Sequence, residues 1–111
     1  GESLEHFFLT YEIAEYLKPF IDKIELFETT KPDIIFYIKD KRYAVEVETG
    51  KVYKTFRKQL TEKIKSLNEN YQKKWFFVVT NEKIAPQYNK LGRTFTRKSF
   101  RRQFEKWLKK T

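Results

Sequence analysis

Asp33, Glu46 and Glu48 are the residues of this 111-residue chain whose types and spacing could do chemistry. They lie in the stretch KPDIIFYIKDKRYAVEVETGK, residues 31–51. Asp33 opens one apolar run, and Glu46 and Glu48 close the next. IIFYI and YAVEV are β-branched and aromatic, so they read as strands, with KDKR as the turn between them. With Asp40 and Lys41 central in that turn, Lys39 pairs with Arg42, Asp33 faces Glu48 and Ile35 faces Glu46. Side chains alternate along a strand, so the three carboxylates share one face, with Cβ atoms roughly 5–8 Å apart. A one-residue slip in the turn is expected to break this arrangement. Like charges directly opposite each other are destabilising, so compensation is expected. A hard cation supplies it in one reading, since Mg²⁺ is bound by one or two carboxylates plus water and phosphate oxygens. Local lysines such as Lys31 and Lys51 supply it in a second. In a third, the strand ends protrude and water solvates the carboxylates.

These acids sit in a strongly basic chain. The net charge is +9, and residues 51–74 and 96–111 each carry a net +6. Two basic zones around an acidic remainder point to a polyanion partner, most simply DNA. The candidate phosphate contacts are Lys54, Arg57 and Lys58 in the first zone. In the second they are Arg97, Lys98, Arg101 and Arg102. The competing reading is a pair of solvated lysine-rich helices. No helix-turn-helix, zinc-finger or RNA-recognition signature accompanies them, so backbone and shape contacts are favoured over sequence readout.

The elements that must position these groups follow from periodicity. Ser3 caps a first helix whose apolar face is read as Leu4, Phe7, Phe8, Tyr11 and Ala14, and Pro19 ends it. Residues 21–28 alternate apolar and charged and read as a short edge strand. Thr55 starts a second helix with Phe56, Leu60, Ile64, Leu67 and Tyr71 on one face. KWFFVVT is a near-continuous apolar run, suited to a strand buried on both faces. NEKIAPQYNKLGRT reads as a loop with at most one helical turn. Thr96 caps a last helix with the stripe Phe100, Phe104, Trp107 and Leu108. The order α-β-β-β-α-β-α predicts an α/β domain over 1–111, with a mixed central sheet flanked by helices. The second helix is long enough for a parallel crossover between its flanking strands.

Other classes recede. There is no Cys, hence no disulfide framework or thiolate metal site. No apolar run approaches the ~20 residues of a membrane span, and no signal peptide is evident, so a cytoplasmic protein without membrane contact is expected. The chain starts at Gly1 and lacks Met, as would a domain excised from a longer protein. Phosphate-loop, nucleophile-elbow and H-E-x-x-H motifs are missing. His6, the single histidine, is either a general base near neutrality or a structural residue.

PD followed by a hairpin, then EVE closing a β-branched strand, resembles the PD-(D/E)XK restriction-endonuclease-like superfamily. The order α-β-β-β-α-β is that of its core. Residues 1–84 are also similar to small nuclease-like domains of plasmids, viruses and conjugative elements. The resemblance implies a metal-dependent DNA endonuclease using Mg²⁺ or Mn²⁺. It implies Asp33 and Glu46 as metal ligands, the carbonyl of Val47 as a third, and Glu5 as a helical acid completing the shell. Glu5 also reads as an ordinary first-turn glutamate favoured by the helix dipole. Glu48 stands where the superfamily most often has Lys. It is then a second metal ligand or a water-orienting group, and Lys51, Lys54 or Lys58 replaces the missing cation. Gln59 resembles the polar residue that often faces such a site. A homodimer fits this picture, since duplex cleavage needs two sites. The alternative is a catalytically inactive nuclease-fold module that binds DNA or a protein partner.

Overall fold

The computed structural model describes residues 3–27 and 32–110; the expectations for Glu28 and Lys31 lie outside the described residues. Helix α1 spans Leu4–Leu17, and the Ser3 side chain accepts from His6 N as its cap. Strands β1 (Ile24–Leu26), β2 (Ile34–Ile38) and β3 (Lys41–Glu48) follow. After β3 come α2 (Lys51–Thr55), α3 (Arg57–Tyr71) and β4 (Trp75–Val79). A 3₁₀ turn (Glu82–Ile84), α4 (Ala85–Asn89), β5 (Thr94–Phe95) and α5 (Arg97–Lys109) complete the chain.

The strands form one mixed sheet in the order β1-β2-β3-β4-β5. β1, β2 and β3 are antiparallel neighbours, while β3, β4 and β5 run parallel. The protein is therefore α/β, with helices on both faces of the sheet. On one face, Leu9, Ile13 and Leu17 of α1 and Phe100 and Phe104 of α5 pack on Phe36, Val45, Val47, Phe76 and Val78. On the other, Leu60 and Leu67 of α3 and Tyr88 of α4 pack on Ala44, Phe77 and Val79. β4 is buried along its whole length, as its unbroken apolar run predicts.

Four sequence expectations are corrected. Most of the face chosen for α1 is the wrong one: Leu4, Phe7, Phe8 and Tyr11 are exposed, whereas Ala14 is buried as expected, together with Leu9, Ile13 and Leu17. Both stripes have helical spacing, so periodicity could not choose; the aliphatic stripe continues to the end of the helix and meets the sheet. The second helix is broken at Phe56, whose φ of −132° is non-helical. Thr55 therefore closes α2, with its hydroxyl donating to Lys51 O, and Phe56 is exposed. The segment read as a loop with a helical turn holds that turn as α4, but it also runs into a fifth strand that was not expected. The hairpin turn is Lys39-Asp40, with Ile38 paired to Lys41 and Ile35 to Ala44.

That last shift has a definite consequence. Moving a two-residue turn by one position moves cross-strand partners by two, which preserves the face. Asp33 therefore falls opposite Glu46 rather than Glu48, and the predicted break does not follow. Lys39 takes the strained left-handed value, φ 55°. At the other end of β3, Gly50 has φ 97° and turns the chain from the strand into α2.

Candidate functional site

Alternation along β3 points Ala44, Glu46 and Glu48 toward the α3 layer. Asp33 stands just before β2, on the same face as Ile35. The three carboxylates thus meet at one end of the sheet. They are the buried charged residues among the described ones, with exposures of 8% for Asp33, 2% for Glu46 and 3% for Glu48. The expectation that they protrude into water fails.

Each carboxylate is engaged by a protein donor. Asp33 Oδ2 accepts from Val47 N at 2.8 Å, so its side chain takes the place of a strand partner. Its Oδ1 lies 3.1 Å from His6 Nε2, which arrives from the first turn of α1. Glu46 Oε2 lies 3.1 Å from Lys63 Nζ of α3. Glu48 Oε1 accepts from the Tyr88 hydroxyl at 2.9 Å.

The electrostatics follow from burial and crowding. Burial, then the neighbouring Asp33 charge, pushes Glu46 up to about 8, although Lys63 pulls the other way. Glu48 is also raised by burial, against the pull of Lys63 and of the Tyr88 hydroxyl. Burial opposes the charge of Lys63, but Glu46 and then Glu48 outweigh it and its pKa is raised. Tyr88 is pushed up by burial and by Glu48 beside it.

Among the sequence candidates, Asp33, Glu46 and Glu48 are brought together. Glu5 is exposed on α1, and its neighbour His6 faces the acids instead. Lys51, Lys54, Lys58 and Gln59 are all exposed, as is Arg57, whose guanidinium lies 3.9 Å from the Tyr53 ring centroid. Lys63, one turn beyond Gln59, is the cation that meets the cluster. It stands between Leu60 and Leu67 beside the apolar stripe of α3, partly exposed but reaching Glu46, and a lysine at an apolar-stripe position was the signal available in sequence. Tyr88 carried no comparable signal, because its placement depends on α4.

The two basic zones do not form one surface. Lys54, Arg57 and Lys58 lie on the α2–α3 layer with the carboxylates. Arg97, Lys98, Arg101 and Arg102 are exposed on α5, in the opposite layer. There, Arg97 Nε and Arg101 Nη2 approach Glu12 at 3.7 and 3.9 Å.

Among the described residues, no three His, Asp or Glu side chains stand in a geometry that holds a metal ion. Their oxygens are turned to Val47, His6, Lys63 and Tyr88. No helix among the described residues is long and apolar enough to cross a membrane. The chain matches no family model, no curated protein and no solved structure.

Proposed function

We propose that this domain is a metal-dependent DNA endonuclease of the restriction-endonuclease-like kind, as carried by mobile elements. The observation that carries the reading is the Lys63–Glu46 contact at 3.1 Å beside Asp33 and Glu48. It supplies, from α3, the positive charge that position 48 lacks. The element order supports the reading, with Asp33 before the second strand and Glu46 in the third.

The donor set fits a hard divalent cation. Three carboxylates share one end of the sheet, and the mutual repulsion that helps raise Glu46 is what such an ion would relieve. Asp33 and Glu46 would hold Mg²⁺ or Mn²⁺, with Glu48 as a further oxygen donor, through the acceptor capacity a carboxylate keeps beyond its present bond. When bound, such an ion polarises a scissile phosphate and acidifies a bound water. Lys63 then places positive charge where the phosphate gains negative charge. His6 orients Asp33, and Tyr88 orients Glu48. Lys54, Arg57 and Lys58 neutralise flanking phosphates on the same layer.

A second reading is an inactive DNA-binding module. The internal pairing of all three acids favours it, since each already has a protein partner. The deciding experiment offers supercoiled, linear, single-stranded and branched DNA with Mg²⁺ or Mn²⁺ to the wild type, Asp33→Ala and Glu46→Ala. Cleavage by the wild type, lost in both variants, is expected. A folded wild type that binds DNA and cleaves none of these substrates overturns the enzyme reading in favour of the second.

A further inference from the structure

α3 packs over β3 and β4, and beside it a cleft is lined by Glu25 of β1 and by Ile35 and Tyr37 of β2. The cleft encloses about 520 Å³ and has Glu46 and Lys63 at one end. That volume lies within the ~300–1,000 Å³ of sites that take small ligands. Its walls combine rings with hydrogen-bonding edges. The Tyr71 ring is half-buried, and the Arg42 guanidinium lies 4.5 Å from its centroid. Arg42 is held there by donating to Asn70 O at 3.1 Å, so the guanidinium lies over one face of the Tyr71 ring. Across the cleft, the Glu25 carboxylate accepts from the Tyr37 hydroxyl at 3.1 Å. A carboxylate keeps further acceptor capacity after one such bond.

We propose that this cleft receives one unpaired nucleobase of a DNA strand whose adjacent phosphate lies at Lys63. The proposal rests on the nucleic-acid reading above and names its substrate: single-stranded, frayed or branched DNA rather than intact duplex. The base stacks on the outer side of the Arg42 guanidinium, which the Tyr71 ring backs, as bases stack on guanidinium planes in nucleic-acid binding. Glu25 accepts from an exocyclic amino group, the contact a carboxylate makes with a base edge. A paired base cannot use the cleft, because its edge is occupied and its faces are stacked.

The test is binding in EDTA, which needs no hydrolysis. A fluorescein-labelled single strand and its duplex are titrated with wild type, Ser66→Trp and Tyr71→Leu, followed by anisotropy. Ser66 is an exposed position on α3 at the cleft, so an indole there obstructs it without disturbing the core. Thermal melting checks that both variants fold. Tighter binding of the single strand by wild type is expected. Ser66→Trp should weaken it about tenfold, the scale of one base–aromatic stack, with duplex affinity unchanged. Equal losses on both DNAs, or no loss on the single strand, overturn the proposal. If cleavage fails while Ser66→Trp discriminates between the DNAs, only the nuclease reading falls. If cleavage occurs without that discrimination, only the cleft reading falls.

Discussion

Glu46→Gln reads the electrostatics of the carboxylate cluster directly. Glu46 is 2% exposed, and its pKa is pushed from the usual 4.5 up to about 8 by burial and by Asp33. Between those values the folded protein holds a proton that the unfolded chain has released. Stability therefore falls as pH rises through that window, by up to about 1.4 kcal/mol per pH unit. From about pH 5.5 to about pH 7.5 the loss is about 2 kcal/mol, a large part of the ~5–15 kcal/mol that holds a typical domain together. Glu48, also raised, adds a contribution of the same sign. The amide introduced by Glu46→Gln mimics the protonated carboxyl in shape and does not titrate. Urea unfolding in EDTA across this range, with unchanged m-values, measures the difference. The wild type should lose about 2 kcal/mol relative to Glu46→Gln as pH rises. Parallel stability curves for the two proteins refute the assignment of a buried, proton-holding Glu46.

Four further outcomes are expected. Lys63→Met should lower the cleavage rate by about 100-fold or more and weaken DNA binding only by the share of one phosphate contact; an unchanged single-turnover rate removes Lys63 from the chemistry. Tyr88→Phe strips buried Glu48 of its donor and should destabilise the fold by about 1–3 kcal/mol, read by denaturant unfolding; no change at neutral pH would mean that Glu48 does not depend on the hydroxyl. Leu9→Ala should cost about 2–5 kcal/mol and Phe8→Ser under about 0.5 kcal/mol; the reverse ranking would mean that α1 packs by its other stripe. DNA affinity should fall steeply from low to physiological salt, and Lys54→Gln with Lys58→Gln should flatten that slope; a salt-independent affinity argues against phosphate contacts.

Much of the architecture was legible because it rests on local rules. β-branched runs marked β2, β3 and β4, and Ser3 and Thr96 marked helix starts that are capped as expected. The mixed sheet followed from the order of elements and the length of the crossover. The fifth strand was not legible, because Thr94–Phe95 is too short to show a period and is held by pairing with β4. The break at Phe56 was hidden because residues 55–71 read as one helix, whereas the turn out of β3 at Gly50 starts a separate α2 at Lys51. α1 presented two apolar stripes, and choosing between them required the sheet.

The sequence by itself determined that three carboxylates gather at one end of a hairpin in a basic chain. Strand alternation puts Glu46 and Glu48 on one face, and Asp33 joins them because the turn, though displaced, still has two residues, so that partners shift by two and the face is preserved. Only the tertiary structure decided what compensates them. Lys63 lies 17 residues beyond Glu46 in sequence and meets it because α3 packs over β3. Tyr88 reaches Glu48 across 40 residues, and His6 reaches Asp33 from the opposite layer. Those meetings depend on how helices are laid on the sheet, a long-range packing outcome that no local period encodes. The same packing set the two basic zones, already separate in sequence, on opposite layers.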